Sequence, residues 1–503
     1  MKAKKILILS SFMLLAAGSL ISCDNVFNTD TISETTSEED TLVETDEYVS
    51  IDSSEYFSDK DYETDYSDED LVEVVLSDGA SSTSLADGVA IDGNVITISA
   101  KGYYEISGTL SDGQIVINNE TDEKIHLILN NANVTNSNGP AILVENADKV
   151  FITTADGSTN TMNGTMDEDD DYNAAIYSSD DLTLNGLGVL NVVSNNHGIK
   201  STDELTITSG TYKVEATKNC LRGKDSVAIA DGTFELIAGT DGIHSEDNDD
   251  ATNGNIYIIG GDITIDADDD GIHSSNTLTI YDGNINIVNS NEGIEGMNIY
   301  VGGGNIDITA IDDGINTSDG SGGGDTPVVN EDLESSISFI MAGGYIHVDA
   351  TADGIDSNGY IWIKGGEIVI DGPTDFRESA IDFDASCYIN GGTVIGFDAS
   401  ENLELISDAS EQGSIMYTLD SSEKSGTAVS LSNVSGEELL SYTPTKTFST
   451  VVFSSADVVE GETYTLTVGT KEYTIKMDSM AYSNYTGTSG GGGDDRPGAF
   501  WSK

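Results

Sequence analysis

Apolar residues in the middle of the chain recur with a period of about 22 residues. The clearest copies stand in a repeated phrase, acid-Gly-Ile, which occurs at Asp241-Gly242-Ile243, Asp270-Gly271-Ile272, Glu292-Gly293-Ile294, Asp313-Gly314-Ile315 and Asp353-Gly354-Ile355. Including two looser copies, the apolar positions 199, 221, 243, 272, 294 and 315 are 22, 22, 29, 22 and 21 residues apart. A fixed period of this length indicates a solenoid, in which each repeat buries its apolar face against its neighbours.

Each repeat contains three short segments in which apolar and polar residues alternate. One segment precedes a glycine turn, as Leu278 and Ile280 precede Asp282-Gly283, and a second follows it, as with Ile285 and Ile287. The acid-Gly-Ile phrase provides the third. Period-two alternation predicts strands, and three strands in 22 residues predict an all-β fold, a parallel β-helix. A leucine-rich repeat would need its Leu/Asn consensus, and a propeller blade would need about 40 residues.

Two insertions interrupt the period, at residues 245–253 and 317–336. Insertions in repeat proteins form loops on one face, which is often the binding face. After residue 403 the pattern changes, and an alternating hairpin over residues 463–468 and 472–477 predicts a small β domain that closes the open end of the helix.

The formal charge of -69, from 20 basic and 89 acidic side chains, excludes two classes of partner. Nucleic acid and anionic membrane surfaces would be repelled. Cations, and ligands bridged by cations, are the partners that this charge favours.

The N-terminus predicts the compartment. Three lysines and an apolar run from Ile6 to Leu20 precede Leu20-Ile21-Ser22-Cys23, which resembles a bacterial lipobox in which Cys23 becomes the acylated first residue. A plain signal peptide with an incidental cysteine is the alternative. We therefore expect an extracytoplasmic protein that is lipid-anchored at the bacterial cell surface, with contact to the membrane only through the anchor.

The stretch after Cys23 is acidic and poor in apolar residues, which predicts disorder. The domains predicted from the sequence are a signal peptide at 1–23, a disordered acidic tether at 24–72, the β-helix at 73–403, the β cap domain at 404–480 and a flexible tail at 481–503.

If the coils stack, the repeated acids form a column with a spacing of about 4.8 Å. Two unit charges at that spacing repel by about 3.5 kcal/mol at an effective dielectric of 20, so the column calls for bound cations. Carboxylates without a set of Cys or His ligands suit Ca²⁺, which tolerates irregular geometry. The alternative to bound cations is that the acids belong to ordinary Asp-Gly turns and that water screens the repulsion between them. The candidate metal ligands are Asp241, Asp268, Asp269, Asp270, Glu292, Asp312, Asp313, Asp353 and Asp356.

The residues that follow each isoleucine form a second, outward-facing column. Its candidate ligand-binding members are Lys200, Arg222, His244 and His273. Lys200 and Arg222 are notable because basic residues are scarce, and they suit a sugar carboxylate; the alternative is that they pair with local acids. The two histidines lack the third ligand that a zinc site needs. We identify no catalytic residues.

Several stretches resemble one bacterial family. They include the entry segment Gly102–Val116, Asn138-Gly139-Pro140-Ala141-Ile142, the Asp-Gly-Ile-His-Ser coils and Gly461-Glu462-Thr463-Tyr464. Together they are similar to carbohydrate-binding domain proteins over residues 73–480. The resemblance implies an extracellular right-handed parallel β-helix, similar to pectate lyases, that binds Ca²⁺ and acidic plant polysaccharide such as polygalacturonate without cleaving it.

The hypothesis from the sequence is therefore a surface lipoprotein that binds an acidic polysaccharide through a Ca²⁺-loaded β-helix. One alternative is a Ca²⁺-dependent pectate lyase with Lys200 or Arg222 as its base. The other is a structural or adhesive stalk in which Ca²⁺ serves only stability.

Overall fold

The computed structural model of the protein describes residues 53–121, 123–167, 170–320, 337–400 and 403–486. Residues 1–52 lie outside this part of the chain, so the signal peptide, Cys23 and most of the tether remain predictions. Within the described residues, all regular structure is β apart from two short 3-10 helices, Ser53–Glu55 and Asp59–Tyr62. In this part of the chain we find no helix with the length and apolar character needed to cross a membrane.

The strands of the N-terminal part, in chain order, are β1 (Leu71–Ser77), β2 (Ser82–Thr83), β3 (Val89–Asp92), β4 (Val95–Ile98), β5 (Gly102–Leu110), β6 (Gln114–Asn118), β7 (Ile125–Asn136), β8 (Ile142–Asn146), β9 (Lys149–Thr154), β10 (Thr159–Gly164), β11 (Ala174–Ser178), β12 (Asp181–Gly186) and β13 (Val189–Ser194). The central strands are β14 (His197–Ser201), β15 (Glu204–Ile207), β16 (Thr211–Ala216), β17 (Leu221–Gly223), β18 (Ser226–Ile229), β19 (Thr233–Ala238), β20 (Ile243–Ser245), β21 (Asn255–Ile258), β22 (Asp262–Ala267), β23 (Ile272–Ile280), β24 (Asn284–Asn289), β25 (Ile294–Val301), β26 (Asn305–Ala310) and β27 (Ile315–Thr317). The last are β28 (Ser338–Met341), β29 (Tyr345–Ala350), β30 (Ile355–Ser357), β31 (Tyr360–Ile363), β32 (Glu367–Asp371), β33 (Ile381–Phe383), β34 (Ser386–Ile389), β35 (Thr393–Asp398), β36 (Ser414–Glu423), β37 (Val429–Asn433), β38 (Glu438–Tyr442), β39 (Phe448–Ser454), β40 (Thr463–Val468), β41 (Lys471–Lys476) and β42 (Ala481–Ser483).

The strands stack as the sequence predicts, and the fold is a right-handed parallel β-helix. Each coil contributes three strands, and each strand pairs in parallel with the strand one coil before and one coil after it. One of the three faces carries the acid-Gly-Ile phrase, and we call it the site face. It consists of β6, β8, β11, β14, β17, β20, the starts of β23 and β25, β27, β30 and β33.

The predicted apolar rungs are confirmed. Ile142, Ile176 and Ile199 pair in succession, and the register continues through the isoleucine of every acid-Gly-Ile phrase to Ile381. Ile142 through Ile355 along this column are fully buried. The apolar interior therefore runs along the helix axis and holds the backbone of the site face in place.

The glycine of the phrase is required by close packing. A Cβ on Gly293 would overlap the carbonyl oxygen of Gly314 and the Cγ2 of Ile308. None of the phrase glycines has φ in the left-handed region, so backbone conformation is not the reason for glycine here. Cys220 occupies the same position in its own coil and is a buried free thiol, as expected for a small residue against the core.

Residues 53–66 differ from the predicted tether, because they are ordered along the side of the β-helix. Asp61 is 1% exposed and accepts a hydrogen bond from the Thr183 hydroxyl at 2.6 Å. Its carboxylate also pairs with Lys149 at 2.9 Å. Although burial raises its pKa, these two partners leave the pKa of Asp61 below its usual value. Tyr56 stacks on Tyr257 with ring centroids 4.5 Å apart.

The C-terminal region closes the solenoid. β39 pairs antiparallel with the last coil strand, β35, and with β36, while β37, β38, β40 and β41 form a separate four-stranded sheet. The predicted hairpin is confirmed as β40 and β41. Residues 481–483, which we expected in the flexible tail, form β42 and pair with β36.

We predict that Gly293→Ala destabilises the protein by about 1–3 kcal/mol, because the added methyl group must displace backbone and a core side chain. Gly296 in the same coil is the control: a Cβ there meets Ile299 Cγ1 at 3.3 Å, so Gly296→Ala costs less. Guanidinium unfolding of the two variants measures the difference. Equal midpoints would refute the packing explanation.

Candidate functional site

The five acids of the repeated phrase lie one above another on the site face. The backbone carbonyl of each acid after the first accepts a hydrogen bond from the glycine N–H of the preceding coil. These bonds join Gly242 to Asp270, Gly271 to Glu292, Gly293 to Asp313 and Gly314 to Asp353, at 2.9–3.0 Å. We call these five acids the acid ladder.

The side chains of the ladder are also tied to the backbone. An Oδ1 of Asp313 accepts a hydrogen bond from the N–H of Asp353 at 2.8 Å, and Asp241 Oδ1 accepts from the N–H of Asp270 at 3.2 Å. Asp353 in turn accepts from the N–H of Ser379. The four aspartates are 6–8% exposed. The short side chains of Asp241, Asp313 and Asp353 thus accept hydrogen bonds from the backbone of the next coil, and these hydrogen bonds hold the charges in register.

Burial and mutual repulsion raise the pKa values of the ladder toward its Asp353 end. Burial, with the charges of Asp382 and Asp313, raises the pKa of Asp353 to about 10. Burial, with Asp356 and Asp312, raises the pKa of Asp313 to about 8. Among the described residues, no basic side chain forms an ion pair with either aspartate.

Glu292 behaves in the same way in the coil before Asp313. Burial and the charge of Glu295 raise its pKa to about 8, and one of its carboxylate oxygens accepts a hydrogen bond from Asn316 at 2.9 Å. This half of the ladder therefore holds more carboxylates than its surroundings can keep ionised.

At the other end, Asp241, Asp269 and Asp270 each place a carboxylate oxygen within 4.8 Å of the others. Such a donor set consists of hard oxygen atoms only, as calcium sites do. Asp268 is the exception among the predicted ligands at this end. It is exposed, and no donor group found among the described residues includes it.

The outward column also lies in the predicted register. The residues pair in the order Lys200, Arg222, His244, His273, Glu295, Asn316, Asp356 and Asp382. The face therefore changes along its length from basic, through imidazole, to acidic. This order follows directly from the parallel stacking of the coils.

Each histidine of this column contacts the ladder acid of its own coil. His244 Nδ1 lies 2.6 Å from Asp241 Oδ2, and His273 Nδ1 lies 3.0 Å from Asp270 Oδ2 and 2.5 Å from Glu295 Oε2. Although burial lowers it, the two carboxylates raise the pKa of His273 to about 10. Burial raises the pKa of Asp241, but His244 outweighs this and leaves it below its usual value.

Arg222 and Lys200 differ in their surroundings. Arg222 Nη2 pairs with Glu246 of the first insertion at 3.2 Å, which is the local pairing that we kept as an alternative. Lys200 Nζ instead donates to Asn173 Oδ1 at 2.9 Å and lies 5.4 Å from the centre of the Tyr177 ring. Burial, with the charges of Arg222 and Lys218, lowers the pKa of Lys200 to about 8.

Three acids of this site were not named as ligands from the sequence. Glu295 follows His273 by one coil in the outward column. Glu246 belongs to an insertion, which has no repeat partner. Glu404 follows the last coil, accepts a hydrogen bond from the Phe383 N–H at 3.0 Å, and has a pKa raised to about 8 by burial and Asp382. Only Glu295 had a periodic signal that could have identified it.

The raised pKa values predict an unusual pH dependence for the chelator-treated protein. A carboxyl group with a folded pKa above its unfolded value of about 4 binds more protons when folded. The stability that each such group contributes is fully present below about pH 4. It falls, by at most about 1.4 kcal/mol per pH unit, as the pH rises toward the folded pKa, which is about 8 for Glu292 and Asp313 and about 10 for Asp353. Asp353→Asn should reduce this slope, since Asn keeps the acceptor oxygen without the charge.

Asp266→Asn is the control for that measurement, because Asp266 is exposed on β22. Urea unfolding between pH 4 and 8 in the presence of a chelator gives the slopes. A slope that is the same in the wild type and in Asp353→Asn would contradict the assignment.

Comparisons with known proteins agree with the resemblance seen in the sequence. Residues 92–332 match the model of the family described as carbohydrate-binding domain-containing protein. A carbohydrate-binding domain-containing protein of Acetivibrio thermocellus is 34% identical over 150 residues, which are 28% of this chain and 52% of that protein. This chain thus spans about half the length of that curated relative.

One solved structure is also similar, the gadolinium derivative of the polysaccharide lyase-like protein from C. thermocellum. It is 32% identical, and the match covers 47% of this chain and 93% of the other, with a TM-score of 0.42. The family match spans the early coils and the site face as far as β27. Over residues 92–332, the chain is therefore similar to the carbohydrate-binding domain-containing protein family.

Proposed function

We propose that this protein binds an acidic polysaccharide of the pectin or polygalacturonate type, without cleaving it, through Ca²⁺ held on the site face. The observation that carries the proposal is the acid ladder itself: buried carboxylates in register, in which Asp313 and Asp353 have raised pKa values and no basic partner among the described residues. A divalent cation would relieve this repulsion, and a bound cation with open coordination positions accepts further carboxylates.

The donor sets fit Ca²⁺ on chemical grounds. Asp241, Asp269 and Asp270 offer oxygen atoms on a partly exposed surface, and Ca²⁺ accepts six to eight such ligands without strict geometry. When bound, Ca²⁺ would supply positive charge to a face that otherwise repels uronate groups. The chain's own residues hold the carboxylates in place through the backbone hydrogen bonds of the ladder.

Neighbouring residues provide a matched test of this proposal. Asp269→Asn removes one oxygen-donor charge from the group, whereas Asp268→Asn removes an equally exposed charge that lies outside it. We predict that wild-type protein and Asp268→Asn bind polygalacturonate in Ca²⁺, and that Asp269→Asn binds at least about tenfold more weakly, the usual cost of an altered metal site. Isothermal titration with and without a chelator measures these affinities.

The outcomes separate the candidate functions. Equal affinity with and without the chelator would contradict Ca²⁺ bridging. A rise in unfolding temperature on adding Ca²⁺, with no polysaccharide bound, would instead favour the structural stalk.

Lys200 supports a second candidate function, a polysaccharide lyase. Its lowered pKa of about 8 and its in-register position beside Arg222 suit a base that removes the proton next to a uronate carboxylate.

If the protein is a lyase, it will cleave polygalacturonate in the presence of Ca²⁺ into products whose unsaturated chain ends absorb in the ultraviolet. Lys200→Gln will then abolish this absorbance. Lys213→Gln is the control, since Lys213 is exposed and pairs with Glu235 at 2.6 Å. No absorbance in the wild type would exclude this candidate.

A further inference from the structure

The site face changes its chemistry where two histidines enter the outward column. His244, His273 and Glu295 are consecutive in register, and the two imidazole rings stack with centroids 4.9 Å apart and planes 12° apart. Each ring faces a ladder acid through its Nδ1 atom, as described above. The sequence analysis found no third ligand for the histidines, but the stacking of the coils brings the carboxylates of Asp270 and Glu295 to His273.

Two groups of donor atoms meet here, and Asp270 belongs to both. Asp270, His273 and Glu295 place a carboxylate oxygen, an imidazole nitrogen and a second carboxylate oxygen within 4.8 Å of one another. Asp241, Asp269 and Asp270 form the other group, which has oxygen donors alone. The ladder stacking brings the groups together, because Asp241 and Asp270 are one coil apart.

We propose that Asp270, His273 and Glu295 bind a divalent transition-metal ion of the Zn²⁺ or Co²⁺ type, in addition to the oxygen-only position of the neighbouring group. Imidazole suits first-row transition metals, whereas carboxylate and carbonyl oxygens suit Ca²⁺. One nitrogen and two carboxylates from the protein leave coordination positions open, as in metal sites that bind a further ligand. The shared carboxylate of Asp270 would bridge the two positions.

The burial of the three side chains fits such a site. Counting side-chain atoms only, Asp270, Glu295 and His273 are 10%, 18% and 24% exposed, so the donors are held by packing while one edge remains open to solvent. His244 stacks on His273 and keeps its own partners, since its Nδ1 lies 2.6 Å from Asp241 Oδ2 and its Nε2 lies 3.5 Å from Glu246 Oε2. The donors of the proposed site therefore come from Asp270, His273 and Glu295 alone.

The proposal does not depend on polysaccharide binding, and the metal alone tests it. The full chain is freed of metal with a chelator, dialysed and titrated with Co²⁺, whose visible absorption reports nitrogen and oxygen coordination. We predict saturable Co²⁺ binding that His273→Gln weakens at least about tenfold.

Two further variants keep the test decisive. Glu295→Gln should weaken Co²⁺ binding as His273→Gln does, and it decides the matter if the histidine variant does not fold. His347→Gln is the control, because His347 stands on β29 with a single carboxylate, that of Asp307, at 3.4 Å, and it should bind as the wild type does. Absence of Co²⁺ binding in the wild type, or unchanged affinity in both His273→Gln and Glu295→Gln, would overturn the proposal and leave a plain network of ion pairs.

Discussion

The parallel backbone hydrogen bonds between coils are the constraint on which the rest of this structure depends. They hold equivalent positions about 4.8 Å apart, so any residue type repeated at one coil position becomes a column. For isoleucine this is favourable, because the column is the core. For an acid it is costly, since adjacent charges at that distance repel by about 3.5 kcal/mol at an effective dielectric of 20. The same repeat thus provides both the stability of the apolar core and the repulsion between the stacked carboxylates.

The repulsion between the ladder carboxylates is reduced in different ways along the site face. Near Asp241 and Asp270, histidines of the outward column face the carboxylates and share their charge. Near Asp313 and Asp353, the described residues provide no such cation, and burial raises these pKa values to about 8 and 10, compared with about 6 for Asp270. The two ends of one ladder therefore differ in their affinity for protons, although equivalent backbone hydrogen bonds join the coils at both ends.

Periodic features of the structure could be predicted from the sequence, and non-periodic ones could not. The period placed Ile199 and Ile315 in one column and gave the order from Lys200 to His273, because each coil contacts only its neighbours. Glu246 and Glu404 were missed, since an insertion and a closing segment have no equivalent in other coils. Residues 53–66 were missed for a related reason. Their composition predicts disorder, but a few side chains find partners on coils far along the chain.

The ordered segment at residues 53–66 changes how this solenoid must fold. Contacts in repeat proteins are local, and such chains can nucleate in any repeat and propagate. Here Asp61 accepts hydrogen bonds from Thr183 and Thr208, which are 122 and 147 residues away. These contacts raise the contact order, which slows folding, and they require the coils from β9 to β15 to be in place before the segment can dock. A segment that is synthesised before these coils therefore has no docking surface until the coils have formed.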